Sequence, residues 1–439
     1  MEVGMTRDVI VVGAGLSGLR AARDLRAAGR SVLVIEGGSR PGGRLYRRPS
    51  AVDPAADVEV GGAYFSPRHH KRMAAEIARY GLSTRPTALS RALRRSDRRN
   101  GLSFPEHEKA ATRAALRTVL RDSRRITVGV GLEYQGLDDL DIPAQEYLDA
   151  LDLTPTTKEW VMAWCSTIVG SDLNAVSALG ILMPIAAHQH CVSGAALSHR
   201  AEIATGTSSL VSALAGDVDE IRFNGVITAL HQRRDVVEVC VGDDEVITAR
   251  HVVLATPLNG WRGIDFDPAL PARRAHMVMD SRGCRCVRLH IHARNVPGGL
   301  FRLGDDAIPV LFDTGADSRG GRILTGYADG TAIDPRNLEH VRAAVRSYLP
   351  DAEIVGVDYH DWSADPLYRG SGTHARVGQP TIMHERLGAD HGRIHFAGSD
   401  VALNYPRYME GALEAAERAV EAVLASHRRP PPGTAPVQG

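Results

Sequence analysis

Lysine is nearly missing from this chain: Lys71, Lys109 and Lys158 are the only three among 52 basic residues, the rest being arginine. Net charge is missing too, because Lys+Arg and Asp+Glu both total 52. That balance gives neither nucleic acid nor an acidic membrane surface any electrostatic footing, so small-molecule partners are expected. Cysteine is scarce and scattered, at Cys165, Cys191, Cys240, Cys284 and Cys286. An odd, unpatterned set argues against a disulfide framework and for a reducing compartment. No apolar run reaches the roughly 20 residues a membrane helix needs, and MEVGMTRD has no charged-then-apolar leader. The expectation is a cytoplasmic protein with no membrane partner. The end, SHRRPPPGTAPVQG, is Pro-rich and reads as disordered over 428–439. With 439 residues, two domains are the default.

What is present centres on DVIVVGAGLSGLRAARDLRAAGRSVLVIEGGSRPGGR, from Asp8 to Arg44. Val9 to Val12 is apolar without polar alternation, the pattern of a strand covered on both faces. Gly13, Gly15 and Gly18 then form GxGxxG. The helix they open, over 16–28, places Leu19, Ala22 and Leu25 on one face before Gly29 ends it. A second strand, over 31–35, delivers Glu36. The first glycine permits a tight turn, the second lets backbone approach a pyrophosphate, and the third lets helix and strand pack closely. A carboxylate about 20 residues on can accept ribose hydroxyls. Strand, motif, helix, strand and acid arrive in the order that a dinucleotide site requires.

After Glu36 and Gly37 come Pro41-Gly42-Gly43-Arg44, then Gly61-Gly62-Ala63-Tyr64-Phe65. This resembles the flavin-containing amine oxidase family, which includes monoamine and L-amino-acid oxidases. The resemblance implies FAD, with the GGR element at the pyrophosphate and the GG-aromatic element beside the flavin. It returns near the end in RIHFAGSDVALNYPRYMEGALEAAERAV, Arg393 to Val420. There it implies that Gly398, Asp400, Tyr408 and Met409 meet the cofactor, Asp400 at its ribityl or phosphate region. The N-terminus of the helix begun at Tyr408-Met409 would face the flavin N1–C2=O edge. In the middle, VSAL (Val176 to Leu179) and GTSSLVSALA (Gly206 to Ala215) match family elements. VITALHQ, VVEVCV, EVITA and HVVLATP read as separate short strands. There the resemblance places Val226 at the adenine and Ala255 beside the cofactor.

Two departures stand out. Counting without gaps from FDPALP, the position where the family keeps a lysine beside flavin N5 is Arg288. A guanidinium is bulkier and permanently charged. It could clamp an anionic or carbonyl group of the substrate if it faces the flavin, or point outward from an edge strand. Second, Trp362 opens WSADPLYRGSG, and the position that is cysteine in covalently flavinylated relatives is Ser371. The flavin is therefore expected to be held noncovalently. The next position, an aromatic wall of the amine-orienting cage in many relatives, is Gly372, which removes half the cage and leaves room, while Tyr408 retains the other half.

Elsewhere, 91–125 is Arg- and Ala-rich with helical spacing and reads as a solvated face, an anion patch being the alternative. Residues 143–151 and 154–182 read as helices. His290 and His292 share a strand face, but no further ligands at zinc spacing are visible, so no metal is expected.

The expected fold class is α/β. A Rossmann-like FAD-binding domain, discontinuous over 3–85, 205–270 and 378–427, joins a mixed helical and sheet substrate domain over 86–204 and 271–377. By resemblance, hydride passes from a C–N substrate to FAD, giving an imine, and O2 reoxidises the flavin to yield H2O2. Tyr408 and Arg288 are the candidate catalytic residues, and Phe65, His199, Asn404 and Gly372 the candidate substrate lining. The alternatives are a dehydrogenase, desaturase or ring-closing oxidase of secondary metabolism acting on a large amine or amide, and a non-enzymatic flavoprotein. Whether two copies pair as a homodimer is left open.

Overall fold

The computed structural model describes residues 6–91, 106–169, 172–192, 195, 200–304 and 306–426. The expected tail disorder, and most of the arginine run at 91–99, lie outside those residues.

The central sheet has eight strands, with Arg7–Val12 in its middle. Val32–Ile35 pairs parallel on one side and Glu245–Leu254 on the other. Ile394–Phe396 pairs parallel with Val252 to Leu254, so segments far apart in sequence meet at one sheet edge. The unbroken apolar run has its expected cause. Val9 and Val11 face the helices Leu16–Ala27 and Met409–Ser426 through Leu19, Leu25, Leu413 and Val420. Ile10 and Val12 face the opposite way, onto Leu230, Val239, Trp261 and Phe396. Burying each such side chain contributes about 2 kcal/mol, and neither face has room for a polar one.

Two expectations need correcting. EVITA and HVVLATP are one strand, Glu245–Leu254. Its first half pairs with Val237–Val241, its second with Arg7–Val12 and Ile394–Phe396. No glycine or proline interrupts it, so exposed Arg250 turns outward without breaking the ladder. The helix expected over 154–182 is two helices, Pro155–Val169 and Leu179–Ala187. Between them Asp172 accepts from the backbone N–H of Asn174 at 2.9 Å, a turn that competes with helix.

A second sheet is antiparallel, ordered Phe301–Leu303, Val310–Ala316, Arg322–Asp329, Cys286–Arg294 and Glu353–Asp358. Strand Cys286–Arg294 sends Val287, Leu289, Ile291 and Ala293 into the core beneath helix Leu338–Arg346. Its other face carries Arg288, His290 and His292 toward the loop after the GGR element: His290 Nε2 lies 2.9 Å from the Glu59 carbonyl, and His292 Nε2 lies 3.3 Å from Asp358 Oδ2. Arg288 therefore points inward, and its strand is flanked on both sides from His290 onward. Among the described residues no group of three His, Cys, Asp or Glu could hold a metal, and no helix is long and apolar enough to cross a membrane.

The histidines give a pH prediction. Burial holds His188, His290 and His384 down to about 4. An unfolded histidine titrates near 6.5, so between those values the unfolded chain binds more protons and stability rises with pH. Acidification from pH 7.5 to 5 should therefore lower the melting midpoint by several degrees. The slope is at most about 1.4 kcal/mol per histidine per pH unit below 6.5. A midpoint that stays level across that range, followed by thermal scanning, would contradict it.

Candidate active site

The groove is built where strands Arg7–Val12 and Val32–Ile35 end. Gly13, at φ +102°, donates its N–H to the Ile35 carbonyl at 2.7 Å, which turns the chain sharply between the two strands. Glu36 sits 7% exposed, and each carboxylate oxygen accepts a backbone N–H: Oε2 from Ala14 at 2.7 Å and Oε1 from Gly38 at 2.8 Å. Helix Leu16–Ala27 starts at Gly15 with no side-chain cap, so first-turn N–H groups are left for a ligand. A Cβ on Gly43 would lie 3.2 Å from the Gly15 Cα, so the GxGxxG and GGR loops are in backbone contact. Ser17 Oγ accepts from the Gly398 N–H at 2.8 Å, tying the first helix to the end of the last strand.

This groove is lined by Gly13, Gly15, Ser17, Glu36, Gly37, Gly43 and Arg44, with Val226, Ala255 and Gly398 as expected. Six of its residues, Arg44, Gly62, Ser371, Arg407, Tyr408 and Met409, also line a second chamber. Gly61, Ala63, Tyr64, Arg288, Tyr327, Trp362 and Gly372 line that chamber too, with Val60, Cys284 and Cys286. Groove and chamber are thus one continuous trench, with the N-terminus of helix Met409–Ser426 at their junction.

Inside the chamber Arg288 Nη1 donates to the carbonyls of Glu59 and Gly61, at 3.0 and 2.9 Å, and Nη2 to the Tyr327 hydroxyl at 2.6 Å. Its guanidinium carbon lies 4.5 Å from the Tyr64 ring centroid, a cation–π contact. Burial pushes the Tyr64 phenol well above its ordinary range, so Tyr64 meets a ligand as a neutral donor. Trp362 Nε1 donates to the Val60 carbonyl at 3.1 Å, and its ring meets Tyr368 edge-on at 4.9 Å. Tyr408 is backed by His70, ring centroids 5.6 Å apart.

Several expected site residues lie elsewhere. Phe65 is 1% exposed in the core, because adjacent strand residues face opposite ways and Tyr64 takes the chamber side. Asp400 does not line the groove: its carboxylate pairs with Arg44 at 3.0 and 3.1 Å, so the acid positions a cation that does. Asn404 lines neither groove nor chamber; its backbone N–H donates to Glu414. His199 is outside the described residues. Gly18 does not line the groove and serves the close packing of helix and strand. The room expected beside Gly372 is taken by the Arg407 side chain.

Tyr327, Tyr368 and Arg407 were not singled out from sequence. Tyr368 and Arg407 sit inside the motif stretches, whereas nothing local marks Tyr327. Asp400→Asn should cost about 2 kcal/mol, since Arg44 would lose its counter-charge, and should lower flavin content with it. An unchanged melt and an unchanged visible-to-ultraviolet absorbance ratio would refute this.

The trench fits FAD on its own chemistry. Uncapped helix N–H groups and Arg44 suit a pyrophosphate, Glu36 suits a ribose, and glycines keep backbone close at both loops. The comparisons agree. A family profile described as flavin containing amine oxidoreductase matches residues 16–424. The chain is 44% identical over 432 residues to (S)-6-hydroxynicotine oxidase of Paenarthrobacter nicotinovorans, covering 95% of this chain and 100% of that one. It is 26% identical to the flavin-containing amine oxidase A of Sus scrofa, covering 96% and 86%. Solved putrescine oxidase bound to putrescine superposes with a TM-score of 0.83 at 22% identity over 96% and 99%. Cyclohexylamine oxidase of Brevibacterium oxydans superposes with 0.80 at 20% over 97% and 100%. The chain belongs to the flavin-containing amine oxidoreductase family, and is an FAD-dependent oxidoreductase acting on carbon–nitrogen substrates.

Proposed function

We propose that this protein oxidises a cyclic or secondary amine related to hydroxynicotine, using noncovalent FAD and O2 and giving an imine and H2O2. The observation that supports it best is the continuity of the trench, which joins Glu36 at one end to Tyr64, Arg288 and Tyr408 at the other. FAD, when bound, supplies the hydride acceptor, and O2 regenerates it.

The chain's own residues orient and shield. Glu36 and the glycine loops would hold the adenosine and pyrophosphate, and Arg44, oriented by Asp400, would donate to a phosphate. Tyr408 and Tyr64 wall the chamber, so the substrate C–N bond is held in one orientation away from bulk water. The N-terminus of helix Met409–Ser426 favours negative charge at the junction of groove and chamber. Among the described residues the chamber is lined by no Asp, Glu or His, so no proton acceptor is provided and the amine enters neutral. We assign FAD binding to 3–85, 205–270 and 378–427, and substrate binding to 86–204 and 271–377. Among the described residues none of the five cysteines is in a disulfide, which suits a cytoplasmic enzyme.

Noncovalent attachment is supported by Ser371, whose hydroxyl donates to the Cys284 carbonyl at 3.2 Å. Acid precipitation should leave a white pellet and a yellow supernatant; colour kept by the pellet would refute it. A dehydrogenase on the same scaffold is the second reading, favoured by Arg288 where the family keeps lysine. Anaerobic bleaching by 6-hydroxynicotine and other amines, then exposure to air, separates the readings. Prompt recovery with peroxide supports the oxidase, and slow recovery the dehydrogenase. No bleaching by any amine defeats both.

A further inference from the structure

Tyr408 rests on three further rings that line neither groove nor chamber. His70, His188 and Tyr405 are 1%, 0% and 8% exposed. With Tyr408 they form one cluster, whose six ring-to-ring distances run from 5.0 Å, between His70 and Tyr405, to 6.3 Å, between His188 and Tyr408. The ring planes cross at angles between 59° and 85°. Steep crossing sets the positive edge of one ring toward the negative face of another. Tyr408 meets all three neighbours, so its tilt is coupled to theirs.

Each supporting ring is anchored to backbone. His70 Nδ1 accepts the Ser66 N–H at 3.1 Å, which fixes the plane of its ring. His188 Nδ1 donates to the Pro184 carbonyl at 2.7 Å, and burial holds this imidazole down to about 4, so it is neutral at neutral pH. Tyr405 donates its hydroxyl to the Ala187 carbonyl at 2.5 Å. Pro184 and Ala187 belong to the last turn of helix Leu179–Ala187, where carbonyls need donors from beyond the helix ladder. Tyr405 is itself held fast. A Cβ on Gly411 would lie 2.0 Å from the Tyr405 carbonyl oxygen, so that loop is pressed onto the first turn of helix Met409–Ser426. The same oxygen accepts the Tyr408 N–H at 3.1 Å. Three segments far apart in sequence thus converge on one chamber wall.

We propose that His70, His188 and Tyr405 are positioning residues, which hold the Tyr408 ring at the angle that aligns the substrate C–N bond for hydride transfer. The proposal rests on the flavin amine oxidase reading and extends it to groups that never meet the substrate. Hydride transfer depends steeply on how the reacting C–H is presented, and a wall that tilts loses that alignment without losing the ligand. Return of electrons to O2 needs no aligned amine. Loss of a supporting ring should therefore slow one half of the catalytic cycle alone.

The test compares His70→Leu with His70→Phe in the yellow holoprotein. Both variants forfeit the Ser66 bond and share its thermal cost, but only Phe keeps a ring. The probe is 6-hydroxynicotine, or whichever other amine bleaches the wild type fastest, mixed at saturation in anaerobic stopped flow. Flavin reduction, counted per bound flavin, should be slowed at least about tenfold by Leu and less than about threefold by Phe. Reoxidation in air-saturated buffer should stay within about twofold of wild type in both. Tyr405→Leu against Tyr405→Phe repeats the comparison, since both lose the Ala187 bond and only Phe keeps the ring; it decides where a His70 variant fails to fold. Equal reduction rates in Leu and Phe, whether both fast or both slow, overturn the proposal, as does a Leu variant slowed alike in both halves of the cycle. A holoprotein bleached by no amine sinks the oxidase reading and this inference with it; bleaching that ring loss leaves untouched sinks only this inference.

Discussion

Gly18→Ala should strip the protein of flavin and lower its melting midpoint by roughly 3–4 °C, the equivalent of about 3 kcal/mol in a chain of 439 residues. A Cβ on Gly18 would sit 1.8 Å from the Gly13 carbonyl oxygen, 3.0 Å from the Gly13 carbonyl carbon and 3.3 Å from the Ala255 Cβ. Two of those three neighbours are backbone, so no rotamer change relieves the overlap. Helix Leu16–Ala27 would have to lift from the sheet. Its first-turn N–H groups would then leave the groove, and Leu19 and Leu25 would leave their core. Gly216 provides the control: it closes helix Thr207–Gly216, and an added Cβ there meets nothing within 4 Å. Gly216→Ala should therefore be neutral or slightly stabilising, by less than about 1 kcal/mol. A Gly18→Ala protein that melts within about 1 °C of wild type and keeps its colour would mean that the close packing is not required.

Those glycines were legible in sequence because their job is local, a fixed spacing between one strand and the next helix. The same holds for Tyr408 and Met409, where a helix begins. Legibility fails where a partner comes from far away. Asp400 sits in a recognisable motif, yet its place is set by Arg44, 356 positions earlier. Nothing in either motif says that the two carboxylate oxygens are already taken. Phe65 is expected at the substrate and Tyr64 at the cofactor, although strand alternation allows only one of two neighbours to face the chamber. Gly372 read as vacant space, because a missing side chain in sequence does not reveal which other side chain fills the gap. Arg407 fills it, 35 positions on, and only the folded chain brings the two together. Arg288 was open in sequence between an inward and an outward face, and in the second sheet it shares the inward face with His290 and His292.

Glu36→Ala should weaken FAD binding by about 100-fold or more, with little change in turnover by whatever holoprotein remains. Glu36 combines two tasks that the sequence pattern showed as one. A carboxylate has about four acceptor sites. Two already hold the Ala14 and Gly38 N–H groups, fixing the glycine turn and the end of strand Val32–Ile35. The other two remain for ribose hydroxyls. Removing the side chain would leave two buried or half-buried N–H donors without partners, at about 1–3 kcal/mol each, before any ligand contact is counted. Glu36→Gln separates the tasks. Its amide offers one acceptor and one donor, so one backbone N–H would face another N–H while the length and shape persist. If the ribose contact dominates, Gln should bind FAD nearly as poorly as Ala while the flavin-free protein melts close to wild type. If the loop dominates, both variants should lower the melt of the flavin-free protein in step with the loss of affinity. Reconstitution of the apoprotein, followed by quenching of FAD fluorescence, reads the first quantity, and thermal scanning of the same samples reads the second. Wild-type affinity in Glu36→Ala would remove this residue from the binding site altogether, since no other carboxylate lines the described groove.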